Sequence, residues 1–176
     1  LESSKSGSTN ALTFYPCFFA LKLFNQGMKK STKPLISVGI PFYNCAEYIV
    51  ECATELFETT YPNVEFIFFD DGSTDDSATL VKEVAAKFPH HSVTIFGDGT
   101  NHGVWYARNS ILTEMVGEYI AFCDADDIVK RSALEIMMSA IDDNYDVVIS
   151  SYECNGKIIS PKTSELNKMP LDTVHF

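Results

Sequence analysis

Short apolar runs rich in β-branched and aromatic residues alternate along this chain with longer stretches whose apolar positions recur every three or four residues. The first pattern predicts buried strands and the second amphipathic helices. Residues 35–40 are apolar apart from Ser37 and Gly39 and run into Pro41, which predicts a strand buried on both faces and stopped by the proline. Ile49, Cys52, Ala53 and Leu56 then share one helical face, with Asn44 and Glu47 spaced as a capping box. Tyr61-Pro62-Asn63 turns the chain into a second strand at 64–69. A helix carrying Val81, Val84, Ala85 and Phe88 on one side follows, then a strand at 93–96 and a loop at 97–101. Val104, Ala107, Ile111 and Met115 stripe a helix near 104–116, and the next strand covers 118–123. Ser132 with Glu135 predicts another capping box, opening a helix with Leu134, Met137, Met138 and Ile141 inward. A strand at 146–152 and an Asn155-Gly156 hairpin returning through 157–159 complete the pattern.

Strand and helix alternate four times, which predicts an α/β fold with a mainly parallel sheet. The regular region spans 34–160 and is expected to be one domain. Residues 1–33 are expected to be a disordered or non-native extension, with Met28-Lys29-Lys30 resembling a translation start. The apolar run at 11–24 is too short for a span of roughly 20 residues, so no transmembrane segment is expected; a peripheral membrane helix is the alternative there. Residues 161–176 are polar, weakly patterned and expected to begin a further region. In open sheets of this kind ligands sit outside the carboxyl ends of the strands. Pro41-Phe42-Tyr43-Asn44, Asp70-Asp71-Gly72-Ser73 and Asp124-Ala125-Asp126-Asp127 each follow a predicted strand directly, so these distant clusters should meet on one edge.

Charge and cysteine content narrow the chemistry. The net charge is −11 and the isoelectric point about 4.6, and no Lys/Arg cluster could neutralise a row of phosphates, so nucleic acid is not an expected partner. Five cysteines, odd in number, scattered and without a C-x-x-C pair, argue against a disulfide framework and a zinc site. A reducing cytoplasm, with the inner face of the membrane as a place of work, is the expected setting. Cys123 reads as a buried inert thiol. The acidic run carries the chemistry. Alternation along a strand would aim Asp124 and Asp126 to one side and Asp127 away. Two carboxylates aimed at one spot repel unless a cation lies between them, and Mg²⁺ takes one or two carboxylates together with substrate phosphates and water.

Ser37-Val38-Gly39-Ile40-Pro41-Phe42-Tyr43-Asn44 resembles the first strand of family-2 glycosyltransferases of the GT-A fold. Phe69-Asp70-Asp71-Gly72-Ser73-Thr74-Asp75 is similar to their second-strand motif. Asn101-His102-Gly103 with Ala107-Arg108-Asn109, and Gly117-Glu118-Tyr119-Ile120 leading to Asp124-Ala125-Asp126-Asp127, complete the family's order over about residues 35–130. The resemblance implies a metal-assisted, inverting transfer from a nucleotide sugar, a UDP-sugar above all, to a glycan or glycoconjugate acceptor, in surface polysaccharide assembly or similar work. It places Pro41, Tyr43, Asp71, Arg108, Asp124 and Ala125 against the nucleotide sugar. Tyr43 would stack on the base and Asp71 would accept a hydrogen bond from it. Asp126, with Asp124, would hold Mn²⁺ or Mg²⁺. From the residues alone, Tyr43 could instead be a core aromatic, Asp71 or Asp127 a cap, and Arg108 a structural ion pair; His102 reads as solvent-exposed.

Inverting enzymes need a carboxylate base for the acceptor hydroxyl. In the family this residue lies well beyond the D-x-D, and here only about fifty residues separate Asp126 from Phe176 at the end of the sequence. Glu153, Glu165 and Asp172 match no base motif, so no catalytic residue is assigned, and the base is expected beyond Phe176. His175-Phe176 resembles the entry to a further helix. The expectation is the donor-binding half of a longer domain, and the alternative is a nucleotide-sugar-binding module without turnover. A phospho-acceptor receiver domain is disfavoured because its acidic pair would follow the first strand, where Pro41-Phe42-Tyr43-Asn44 stands.

Overall fold

The computed structural model describes residues 19–22, 33–141, 147–154 and 156–160. A six-stranded sheet is built from β1 (Phe19–Lys22), β2 (Ile36–Phe42), β3 (Val64–Asp70), β4 (Ser92–Phe96), β5 (Tyr119–Phe122) and β6 (Val147–Ile149), in the order β4-β3-β2-β5-β1-β6. β4, β3, β2 and β5 run parallel, while β1 lies antiparallel between β5 and β6. Connecting helices are α1 (Ile49–Phe57), α2 (Ser77–Ala85), α3 (Val104–Glu114) and α4 (Ala133–Ala140).

Strand alternation divides the core in two. Val38, Ile40, Phe42, Phe66, Phe68, Tyr119, Ala121 and Cys123 face α1, α2 and α4 on one side of the sheet. Ile67, Phe69, Ile120 and Phe122 face Ala107 and Ile111 of α3 on the other. β2 and β5 are buried along their whole length, as strands covered on both faces must be. Phe57 sits edge-on to Phe66 and Phe68, geometry that adds about 0.5–1.5 kcal/mol per pair beyond burial. The strands β2, β3 and β4 progress outward in one direction, and β5 then takes up the opposite flank of β2. That reversal opens a crevice between the carboxyl ends of β2 and β5, the place where doubly wound sheets bind ligands.

Several local expectations are corrected. Phe19–Lys22, inside the stretch 1–33 expected to be a disordered or non-native extension, pairs with β5 on one side and β6 on the other. Pro41 does not stop β2, which continues to Phe42. Gly39 C=O accepts from Cys123 N–H, so main-chain groups of that parity, Pro41 included, point to the β5 side. Pairing with β5 ends at Gly39, and the missing N–H therefore leaves no ladder bond unmade. Neither capping box forms. The chain turns through 46–48 before α1 opens at Ile49, and Glu135 reaches the hydroxyl of Thr60 instead of its own helix start. In α3 only Ala107 and Ile111 of the expected stripe are buried, and Val104 is exposed. The strand expected at 146–152 divides at Ser150, and β7 (Tyr152–Cys154) pairs with β8 (Lys157–Ile159) as the expected hairpin. Asp146, Asn155, Glu165, Asp172 and Phe176 lie outside the described residues, as do the regions 1–18, 23–32 and 161–176. The expected translation start at Met28, the further region from 161 and a base beyond Phe176 therefore have no counterpart among the described residues.

Candidate donor-binding site

Pro41, Phe42, Tyr43, Asp71, Asn101, Gly103, Val104 and Ala107 line a cavity of about 260 Å³ at the carboxyl ends of β2 and β3 and the start of α3. Tyr43 follows β2 directly and is 49% exposed, so it is not a core aromatic, and it lines the cavity. Pro41 lines the same cavity from within the strand. Asp71, which also lines the cavity, is buried, and its Oδ1 and Oδ2 accept the main-chain N–H groups of His102 and Gly103, each at 2.8 Å. A carboxylate here satisfies orphan donors at the start of α3 and meets the positive end of its dipole. Gly103, the N-cap of that helix, has φ +89°, the left-handed region that lets both N–H groups turn toward one side chain. The partner expected for Asp71 is the base; its first partners are main-chain amides, and each oxygen keeps a second lone pair for a ligand. Asp70 and Asp75 serve the main chain locally, accepting from the N–H of Ser73 and Ser77.

Beyond the cavity, α3 projects Arg108 onto Asp124, Nη2 to Oδ1 at 2.8 Å. The guanidinium lies 5.7 Å from the ring centre of Phe122 and 5.8 Å from that of Trp105. Its Nε is buried with no hydrogen-bond partner among the described residues. Arg108 is thus tied to the acidic run, the ion-pair option left open by the sequence.

The acidic run itself departs from the expected pleat. β5 ends at Phe122, and Asp127 N–H donates to the carbonyl of Asp124 at 3.0 Å, closing a turn. The thiols of Cys123 and Cys52 donate to that same carbonyl at 3.3 and 3.8 Å. Strand alternation therefore cannot be what aims Asp124 and Asp126, because the backbone is no longer extended there. Ala125 is buried in the larger core cluster, so its methyl group faces inward. Asp126 is exposed, and no cationic side chain pairs with it among the described residues. Burial, followed by the charges of Asp126 and Asp124, pushes the Asp127 carboxyl up to about 6. A hydrogen bond with Cys52, followed by burial, holds the Cys123 thiol well above the ordinary range, in keeping with an inert thiol. His102 is exposed and pairs through Nε2 with Asp98 Oδ2 at 2.9 Å.

The crowded carboxylates supply hard oxygen donors of the kind Mg²⁺ and Mn²⁺ prefer. Among the described residues no group of three or more His, Cys, Asp and Glu side chains is arranged to hold a metal alone. A cation at the acidic turn would need its coordination completed from outside the protein, by phosphate oxygens and water.

The model of the family described as Glycosyl transferase family 2 matches residues 37–169, which holds every motif named above. The chain belongs to this family. Glycosyltransferase GlyG of Streptococcus pneumoniae serotype 4 is 37% identical over 119 residues, 67% of this chain and 39% of that protein. Chondroitin synthase of Escherichia coli is 32% identical over 123 residues, covering 70% of this chain and 18% of the synthase. Among solved structures, the mannosyltransferase PcManGT from Pyrobaculum calidifontis, in complex with GDP-Man and Mn²⁺, superimposes with a TM-score of 0.57 at 29% identity, over 59% of this chain and 31% of its own. The chain spans less than half the length of each of these three proteins. The sheet and its flanking helices are those of the GT-A fold.

The sequence motifs point to Pro41, Tyr43 and Asp71, and the fold gathers all three on one cavity. Asn101, Gly103, Val104 and Ala107 carry no binding role in the sequence reading; their only signal is membership of the Asn101-His102-Gly103 and Ala107-Arg108-Asn109 motifs or closeness to them.

Proposed function

We propose that this chain carries the donor-binding half of a metal-assisted, inverting glycosyltransferase that moves a sugar from a nucleotide sugar, a UDP-sugar first, to a glycan or glycoconjugate hydroxyl. The observation that carries this reading is the cavity at the carboxyl ends of β2 and β3, lined by the half-exposed Tyr43 and the buried Asp71. At about 260 Å³ it is smaller than the usual 300–1,000 Å³ of a pocket for a whole drug-sized ligand, and it suits a base with the remainder of the donor outside. Tyr43 stacks on the base, and the free lone pairs of Asp71 accept from its N–H. From there the diphosphate runs toward Arg108 and the acidic turn, where the guanidinium offers positive charge and Asp124 stands beside it. Asp126, with Asp124, would hold Mn²⁺ or Mg²⁺, which when bound stabilises the charge that builds on the departing nucleotide. Asp127, half-buried behind them, braces the turn through its main chain.

The test is calorimetric titration of the chain with UDP and with GDP, each with Mn²⁺ and with EDTA. Tighter binding of UDP, lost in EDTA, is expected. Asp126→Ala should abolish the metal dependence and leave the thermal unfolding curve in place. Tyr43→Ala should weaken UDP by the worth of one base–aromatic stack, roughly 1–3 kcal/mol. Unchanged UDP affinity in Tyr43→Ala would remove the stacking role, and Mn²⁺-independent binding would remove the metal. UDP released from a UDP-sugar in the presence of acceptor glycan would mark a complete enzyme; binding without release would mark a donor-binding module.

A further inference from the structure

We infer that Asn44 is a positioning residue for the donor pocket, acting through Tyr43 and Asp71 and not by touching the nucleotide. The inference rests on the donor-binding reading and adds the device that sets the distance between the two walls of the pocket. Those walls are not both fixed by the sheet. Tyr43 lies one residue beyond β2, and Asp71 one residue beyond β3. The last main-chain link between the two strand ends is Asp71 N–H to Phe42 C=O at 2.9 Å.

Past that link a clasp takes over, and Asn44 is its centre. Oδ1 of Asn44 accepts from the N–H of Thr74 at 2.7 Å, from the N–H of Asp75 at 3.3 Å and from the Thr74 hydroxyl at 3.3 Å. Its own N–H donates to Ser73 Oγ at 3.0 Å. The neighbours extend the seam, with Cys45 N–H on Ser77 Oγ at 2.9 Å and Ala46 N–H on Asp75 Oδ2 at 3.0 Å. Every one of these bonds joins the loop after β2 to the segment after β3.

The residue type follows from the backbone. Asn44 has φ +47°, the only positive φ outside glycine among the described residues. Asparagine tolerates that region better than other side chains, and its amide oxygen can serve main-chain donors close by. The left-handed step comes immediately after Tyr43, so the backbone of Asn44 sets the direction in which the chain leaves this cavity-lining residue. Glycine would keep the backbone but lose the acceptor; aspartate would keep both. The capping-box role expected of Asn44 is thereby replaced by a cross-loop one.

The experiment separates these properties in the 176-residue chain. UDP with Mn²⁺ is titrated by calorimetry well below the unfolding transition, and melting curves are recorded in parallel. For Asn44→Gly we expect UDP affinity to fall about tenfold with the fold retained, and for Asn44→Asp to return within about threefold of wild type, one tenfold step being about 1.4 kcal/mol. Ser73→Ala, which removes one bond of the same seam without touching φ, should weaken UDP by about two- to threefold, the scale of a single exposed hydrogen bond. It keeps the inference falsifiable should the glycine variant not fold. A contact that merely stabilised the protein would lower melting temperature and leave affinity unchanged, and that result overturns the inference. Wild-type chain that binds UDP while all three variants bind it equally well overturns it alone. Wild-type chain that binds neither UDP nor GDP overturns the donor-binding reading and this inference together.

Discussion

Replacing Asp71 by alanine tests whether the pocket wall and the start of α3 are one mechanical unit. The substitution leaves the N–H groups of His102 and Gly103 without their acceptors at 2.8 Å. A buried donor left unpaired costs about 1–3 kcal/mol, and loss of a carboxylate at a helix N-terminus adds about 0.3–1 kcal/mol. Asp71 lines a cavity that water can enter, and water will re-satisfy part of this. The lower half of the range is therefore expected, about 2–4 kcal/mol from a total that is ordinarily 5–15 kcal/mol. At about 2–4 °C per kcal/mol for a domain of this size, the melting temperature should fall by roughly 4–16 °C. Urea unfolding gives the free energy, and hydrogen exchange at the amides of His102 and Gly103 reads the site itself. Both amides should exchange faster in the variant while those of β2 stay protected. Asp71→Asn keeps one acceptor but sets an amide donor against the other N–H, so it should recover no more than about half of the loss. Stability within about 0.5 kcal/mol of wild type, the ordinary scatter of surface substitutions, would refute the bracing role.

Gly39 gives the second prediction. A Cβ there would stand 2.7 Å from Ile111 Cγ2 and 2.9 Å from Phe122 Cε1, so Gly39→Ala should cost about 1–3 kcal/mol in urea unfolding by lifting α3 off β2. An unchanged midpoint would mean that α3 does not pack there. Tyr61 predicts a pH effect. Its hydroxyl donates to Pro34 C=O at 2.8 Å, and burial pushes it from 10.0 up to about 12. A folded pKa above the unfolded one means that its contribution is whole below pH 10.0 and is lost as pH rises through about 12. Urea melts across that window should show a steeper alkaline loss in wild type than in Tyr61→Phe, and parallel curves would remove the effect.

Much of this architecture was legible because two periodicities are visible in one dimension. Buried parallel strands must be apolar throughout, and helices on a sheet must carry one apolar side, so β2, β3, β5 and α1 announce themselves. The edge rule then placed Tyr43 and Asp71 together before any coordinates. What the sequence could not settle is each case where a polar group had several partners within reach. Asn44 reads as a cap and is a cross-loop clasp; Glu135 reads as a cap and bonds Thr60. Glu65 and Ser37 sit in strands that read as buried on both faces. Yet Glu65 is itself buried, accepts from the Ser37 hydroxyl and the N–H of Val116, and so ties β3 to β2 and to the turn before β5.

The order of strands, and with it the crevice, depends on contacts between residues far apart in the chain. β1 makes the point most plainly: Phe19–Lys22 carries no clear strand signal, and its place is decided by the open edge of β5 and the matching edge of β6. The acidic turn shows the same limit at short range. Pleat geometry would have aimed Asp124 and Asp126 together, but the strand ends at Phe122, and a carbonyl that collects one amide and two thiols bends the chain. Local pattern determined which elements exist and which residue types stand at their ends. Tertiary packing decided how those ends are tied to one another, because hydrogen-bond partners are chosen by proximity in space, which the order of residues does not contain.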